Sequence, residues 1–219
     1  MKLISSFKRA AFGVVSTLAS LVATSAFAHH PMGGETPTTF GQGLLSGIGH
    51  PIVGVDHLAF VIAVGIAATL AGSRFMAPLA FVVATIAGTL IHLGAVNLPA
   101  VELVIALSLV ALGAVVFLGR RIPVAGVAAI FAVTGIFHGF AYGEAIFGAE
   151  TTPLLAYLAG FGVTQYAIAV VAGSAIVSLL GHAREWSANM PARIAGGVVA
   201  GAGAMLVSEH ALAALGFAA

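Results

Sequence analysis

Two histidines and an aspartate lie within eight residues of one another in this 219-residue chain, in the segment from His50 to His57 that reads HPIVGVDH. In a regular helix, positions seven apart return to nearly the same face, so His50 and His57 can align while Asp56 points about 100° away. Pro51 and Gly54 permit the local unwinding that would bring all three side chains together. Imidazole and carboxylate ligands suit borderline divalent ions such as nickel, cobalt or zinc. The segment therefore indicates a metal site. The alternative is that Asp56 and His57 only satisfy each other and the backbone.

A second group of polar side chains follows in the segment from Phe137 to Glu144. His138 and Tyr142 are four residues apart and share a helix face, whereas Glu144 needs a bend at a neighbouring glycine to join them. Irregular backbone that lines a cavity is where transporters place their ion sites. We therefore expect His138 and Glu144 to add to the metal site of the first segment.

These residues lie in a chain whose composition predicts a membrane protein. It is 60% hydrophobic and only 7% charged, with a mean hydropathy of +1.13, whereas soluble domains carry about 25% charged residues. Ionisable side chains at membrane depth are costly and usually mark a pathway or a site. Six apolar stretches are each near the ~20 residues that span a bilayer, at roughly 50–72, 75–96, 99–119, 122–148, 153–180 and 191–215. The predicted fold class is all-α, a polytopic bundle of about six transmembrane helices in one domain over residues 50–219.

The first 28 residues read as a cleaved secretory signal peptide. Lys2, Lys8 and Arg9 form a basic start, an apolar stretch follows, and Ala26-Phe27-Ala28 supplies the cleavage site. The alternative is an uncleaved first membrane helix. After cleavage, residues 29–49 would form an external segment and a short lead-in to the first span. Whether His29 and His30 bind metal is left open.

The arginines predict the orientation. They fall in alternate connections between the predicted spans, at Arg74, at Arg120 and Arg121, and at Arg184 and Arg193. By the positive-inside rule these connections are cytoplasmic, so both mature termini would lie outside, in the periplasm of a bacterium, with the protein in the inner membrane. The metal-site candidates then fall in the outer half of the bilayer and indicate a vestibule. A weaker set would line its entrance, although each member alone is explained by its place near the interface: His92, Glu102, Glu209 and His210.

Several classes of function are excluded by what the sequence lacks. It has no Cys, which excludes disulfides and thiolate metal sites, and no basic patch with interleaved aromatics, so nucleic acid is not an expected partner. The sequence contains no nucleotide-binding motif, so ATP hydrolysis by this chain is not expected. The only lysines, Lys2 and Lys8, lie in the signal, which excludes a retinal Schiff base.

The pattern His-Pro-x-x-Gly-x-Asp-His at 50–57, followed by Val64-Gly65, strongly resembles the signature of the HupE/UreJ family of nickel and cobalt permeases. Further segments similar to the family are Phe137-His138-Gly139, Gly143-Glu144, and Leu93-Gly94 through Leu98-Pro99 to Glu102. The resemblance covers essentially the whole mature chain. It implies nickel uptake serving enzymes such as hydrogenase or urease, with a metal role for His50, Asp56 and His57, and also for His138 and Glu144. One departure is Tyr142, which stands where the family's later motif is expected to have a second His.

The leading interpretation is a metal-ion permease that is not an enzyme. It would hold no permanent cofactor, and its partners would be the bilayer and a divalent ion, Ni²⁺ or Co²⁺, as transported substrate. The alternative is a membrane-embedded zinc hydrolase that uses the His/Asp cluster to activate water. The sequence leaves open nickel against cobalt, the coupling of transport, formation of a homo-oligomer, and the metalloenzyme supplied.

Overall fold

A computed structural model describes residues 35–180 and 190–216 of the chain. The predicted signal peptide, His29, His30 and Arg184 lie outside these described residues. The described part contains seven α-helices: α1 (Phe40–Val53), α2 (Val55–Leu70), α3 (Ala77–Leu93), α4 (Val101–Leu118), α5 (Val124–Glu144), α6 (Thr151–Leu180) and α7 (Met190–Ala214). No strand occurs in these ranges, so the predicted all-α class is confirmed.

The first two helices form one broken element. Thr39 caps the start of α1 through a capping box. The Thr39 hydroxyl oxygen accepts from the Gln42 backbone N–H, and the Gln42 side-chain oxygen accepts from the Thr39 backbone N–H. The axes of α1 and α2 differ by 77°. Gly54, with φ −69° and ψ 99°, is the extended residue between them. The unwinding predicted from Gly54 is therefore confirmed. However, the helix before the break is longer than the predicted lead-in, and it includes His50 instead of ending before it.

Several helices of the described residues are long and apolar enough to cross a bilayer, as expected of a polytopic bundle. Four helices, α4 to α7, are each long and apolar enough to cross a bilayer, and α1 with α2 passes the same test only as a bent pair. Helix α3 is apolar but has 17 residues, about 25 Å at 1.5 Å per residue, slightly short of the ~30 Å hydrocarbon core. The apolar stretches predicted from the sequence correspond to these helices, and the first stretch is divided between α1 and α2 at Gly54.

Close backbone contacts at glycines hold the helices together, as in other membrane bundles. A Cβ at Gly47 of α1 would collide with the Tyr157 carbonyl of α6, and one at Gly65 of α2 with Ala169 further along α6. Both halves of the broken element therefore run in the direction of α6, whose 30 residues span about 45 Å. Helix α5 packs parallel to α3, and α7 antiparallel to α4, through similar contacts.

These directions place the connections at two distinct ends of the bundle. The connections from α2 to α3 and from α4 to α5, and the start of α7, share one end, which carries every Arg of the described part: Arg74, Arg120, Arg121 and Arg193. The opposite end holds the starts of α4 and α6 and the end of α5. The arginines, which fall in alternate connections along the chain, therefore all lie at the same end of the bundle.

Candidate metal centre

Three imidazoles from three helices meet inside the bundle. The ring centroids of His50 and His57 are 5.6 Å apart and those of His57 and His138 are 5.3 Å apart, and all three side chains are at most 1% exposed. His50 lies in the last turn of α1, His57 in the first turn of α2, and His138 near the end of α5. The break at Gly54 therefore brings the two histidines of the first segment to the histidine of the second.

The depth of this cluster follows from helix positions. His138 lies six residues before the end of α5, Ser108 seven residues after the start of α4, and Tyr157 six residues after the start of α6. At 1.5 Å per residue, each lies roughly 10 Å from the end of the bundle that lacks the arginines. The cluster is therefore inside the bilayer thickness, not at its surface.

His57 and His138 face each other through the same ring atom. Their Nδ1 atoms are 3.1 Å apart, so one Nδ1–H donates to the other. Two imidazole nitrogens bound to one ion at about 2.1 Å each, and separated by this distance, would subtend about 95° at the ion. The pair is thus already spaced as adjacent ligands of one metal ion.

A serine on α4 sets which nitrogen of His138 carries the proton. The Ser108 hydroxyl donates its single hydrogen to the Ile105 carbonyl at 2.6 Å, so it accepts from His138 Nε2–H at 3.0 Å. A neutral His138 then has its lone pair on Nδ1, and His57 Nδ1–H is the donor between the two rings. A ligating histidine commonly donates its other N–H in this way, which fixes its tautomer and orientation.

Tyr157 on α6 likewise determines which ring nitrogen of His50 carries the proton. The Tyr157 hydroxyl donates to the Tyr142 carbonyl at 2.8 Å and therefore accepts from His50 Nδ1–H at 2.8 Å. The lone pair of a neutral His50 is then on Nε2. Two of the three histidines are thus held by the same device, a hydroxyl that links the imidazole to a backbone carbonyl.

Aromatic rings form the walls of the cluster. Phe60 stacks on His138 with ring centroids 4.2 Å apart. Tyr142 sets its ring against both His50 and His57, at 4.7 and 4.5 Å. Such a wall keeps lipid and bulk water from the imidazoles and limits their rotation.

The predicted carboxylates are placed differently from each other. Asp56 Oδ2 lies 3.8 Å from His57 Nδ1, with the Asp56 side chain 14% exposed, so it adjoins the facing nitrogens. Glu144 is exposed at the end of α5, about 9 Å further along the helix axis than His138, and α5 stays helical through Gly139 and Gly143. Within residues 35–180 and 190–216, no three His, Asp or Glu side chains are already arranged to hold one ion. The metal role of the five predicted residues stays a prediction.

Ser108 and Tyr157 are residues that sequence reasoning did not single out. Each is an ordinary polar side chain in an apolar helix, and nothing local marks it as a partner of a histidine. The available signal is weak: a serine or tyrosine in the first two turns of a span whose end faces the predicted site.

The weaker candidates are spread along the same end of the bundle. His92 packs against Phe140 and Phe147, with ring centroids 4.6 and 5.7 Å apart, and Glu102 is exposed at the start of α4. His210 lies near the end of α7, where its Nδ1 is 2.8 Å from the Leu206 carbonyl, and Glu209 beside it is half-buried. Their common role as an entrance stays a prediction.

Comparison with known proteins gives a matching family and a similar protein. The profile of the family described as HupE / UreJ protein matches residues 17–206. A protein from Rhizobium leguminosarum bv. viciae named Protein HupE is 34% identical over 197 residues, which cover 89% of this chain and 96% of that protein. No solved structure matches the chain. The match takes in the broken helix, the three histidines and the helices that position them, and the chain belongs to the HupE/UreJ family.

Proposed function

We propose that this protein is a permease that imports a divalent transition-metal ion, Ni²⁺ or Co²⁺, across the bacterial inner membrane. The observation that carries the proposal is the pair of Nδ1 atoms on His57 and His138, which are buried and 3.1 Å apart. Imidazole suits nickel, cobalt and zinc, and ionisable side chains buried at membrane depth usually mark a pathway or a site. Membership of the HupE/UreJ family supports nickel or cobalt as the cargo and a nickel enzyme such as hydrogenase or urease as its destination.

The two ends of the bundle support an orientation of the cluster in the membrane. If the arginine-bearing end is cytoplasmic, as the positive-inside rule requires, the three imidazoles lie in the outer half of the membrane. An ion from the periplasm would then reach His50 first, at the end of α1, and His57 and His138 after it. Both described ends of the chain would also be on the periplasmic side, as predicted.

Binding at the facing nitrogens needs one small rearrangement. The ion would displace the hydrogen bond between His57 and His138 and lie to one side of the line that joins the two Nδ1 atoms, so the His57 proton moves from Nδ1 to Nε2 of the same ring. His138 needs no change, because Ser108 already leaves the His138 lone pair on Nδ1. Asp56 Oδ2 is 3.8 Å from His57 Nδ1, so a small rotation brings the carboxylate to the same ion and compensates its charge.

A site with few fixed protein ligands suits transport. An ion that is bound too tightly does not leave, so conduction requires modest affinity at each step. The two well-placed nitrogens and one adjacent carboxylate leave the rest of the coordination sphere to water or to other oxygens. Glu144, on the predicted periplasmic side, would act earlier on the route than the imidazoles.

The test is uptake of radioactive nickel and cobalt by cells that lack other permeases. His57→Ala is compared with wild type and with Ser178→Ala, a change at an exposed polar side chain of α6 that donates to the Ser174 carbonyl of its own helix, at equal membrane abundance. We expect uptake by wild type and by the control variant, and loss of uptake in His57→Ala. Absence of uptake of either ion by well-expressed wild type would contradict the proposal and would return attention to the zinc-hydrolase alternative.

A further inference from the structure

Gln165 is a buried amide in the middle of α6 whose oxygen has no hydrogen-bond partner among the described residues. Its side chain is 0% exposed, and its Nε2 donates to Thr85 Oγ1 at 3.2 Å. The Thr85 hydroxyl gives its own hydrogen to the Val82 carbonyl at 2.8 Å, so the amide must be the donor in this contact. Gln165 Oε1 is then an acceptor that lacks a donor.

Tyr142 carries a second buried oxygen in the same condition. The side chain is 0% exposed, and its hydroxyl has no hydrogen-bond partner within the described part of the chain. Its ring lies edge-on against the imidazoles of His50 and His57. The Tyr142 ring that carries this hydroxyl is therefore in direct contact with two of the three imidazoles.

Helix register places both oxygens in the layer of the imidazoles. Tyr142 of α5 and Phe161 of α6 are in ring contact, with centroids 5.3 Å apart, and the two helices are antiparallel. Gln165 lies one turn after Phe161 along α6. His138 lies one turn before Tyr142 along α5. Because the helices are antiparallel, Gln165 and His138 are at the same level in the bundle. A helical side chain leans toward the N-terminus of its own helix, so the Tyr142 side chain also reaches toward this layer.

Leaving a buried carbonyl oxygen and a buried hydroxyl without partners is destabilising, because no bulk water is available inside the bilayer to satisfy them. A cation is the complement of such oxygens, directly or through a water that the ion carries.

We propose that Tyr142 Oη and Gln165 Oε1 are neutral oxygen ligands that complete the coordination sphere begun by His57 and His138, and that they favour six-coordinate Ni²⁺ or Co²⁺ over Zn²⁺. This inference rests on the proposed function, since it concerns the same ion. It gives Tyr142, which replaces an expected histidine, a role of its own as a specificity-determining residue. It also makes Gln165 a direct contact of the ion.

The experiment measures binding of Ni²⁺, Co²⁺ and Zn²⁺ by the full-length protein, purified in detergent, using isothermal titration calorimetry. Tyr142→Phe and Gln165→Leu remove the two oxygens with little change of shape. Tyr166→Phe is the matched control, because it removes a phenol oxygen next to Gln165 that instead donates to the Phe75 carbonyl. Gln165→Glu keeps the oxygen and the shape but adds a charge, so it also serves if Gln165→Leu does not fold.

We expect Tyr142→Phe and Gln165→Leu each to weaken Ni²⁺ binding about tenfold while Zn²⁺ binding changes much less. Tyr166→Phe should bind both ions as wild type does, and Gln165→Glu should bind Ni²⁺ more tightly. Unchanged Ni²⁺ affinity in the folded variants, or an equal loss for both ions, would overturn the inference and leave the proposed function standing. Wild type that binds neither Ni²⁺ nor Co²⁺ would contradict the proposed function itself.

Discussion

Gly54→Ala tests whether the position of the His57 ring, and not only its presence, determines metal binding. A Cβ at Gly54 would lie 2.8 Å from His57 Cδ2 and 3.4 Å from Asp56 Oδ1. The backbone at Gly54, with φ −69° and ψ 99°, is allowed for alanine. The substitution therefore leaves the break between α1 and α2 possible, while it forces the His57 ring to move.

The size of the effect follows from these distances. Ordinary van der Waals contact begins near 3.4 Å, so the ring must shift by about 0.6 Å. The ring is completely buried and cannot swing away. A shift of this size along the line between His57 Nδ1 and His138 Nδ1 would change the angle at a shared ion by roughly 20–30°. Metal sites require donors within about 0.5 Å and 10–20° of the productive geometry.

We expect Gly54→Ala to weaken Ni²⁺ binding about tenfold or more and to lower nickel uptake, with little change in the temperature of unfolding. Gly201→Ala is the matched control, because a Cβ at Gly201 of α7 meets no atom within 4 Å. Binding is measured by calorimetry and stability by thermal unfolding of the detergent-purified proteins. Wild-type binding and uptake by Gly54→Ala would refute the reasoning that the ring position sets the affinity.

Two other predictions concern the residues that hold the site. Ser108→Ala should weaken metal binding about 10–100-fold, because His138 Nε2–H loses its acceptor and its fixed tautomer. Recovery of binding with Ser108→Thr would show that the hydroxyl is responsible. Unchanged binding by Ser108→Ala would contradict this role of the hydroxyl. Gly139→Ala should destabilise the protein by about 2 kcal/mol or more, because the added Cβ collides with the Thr85 backbone of α3. Thermal unfolding beside Gly201→Ala measures this, and an unchanged unfolding temperature would be inconsistent with so close a contact.

The first motif could be predicted from the sequence because its signals are local. Pro51 and Gly54 both disfavour a continuous helix; Pro51 is accommodated inside α1, and the break falls at Gly54, which brings the rings of His50 and His57 to 5.6 Å. His138 could be predicted because an ionisable side chain in an apolar helix needs a polar partner. These inferences need only the composition of a span and the positions of residues that interrupt it.

The surroundings of the histidines could not be predicted in the same way. That Ser108 meets His138 depends on which face of α4 turns toward α2 and α5, and close backbone contacts between distant helices determine this face. Glu144 illustrates the opposite case. The expected bend that would have turned it inward is absent from α5, which continues as a helix to Glu144, so the side chain ends at the surface.

The break at Gly54 has an electrostatic consequence for any ion beside it. The last turn of α1 presents its carbonyl end, equivalent to about half a negative charge, and the first turn of α2 presents its amide end, equivalent to about half a positive charge. Asp56 lies in that first turn and offsets the positive end. With the amide end of α2 offset by Asp56, the carbonyl end of α1 is the uncompensated partial charge beside the imidazoles. The break therefore gives the cluster a negative field that favours positive charge, whether on a bound ion or on an imidazole.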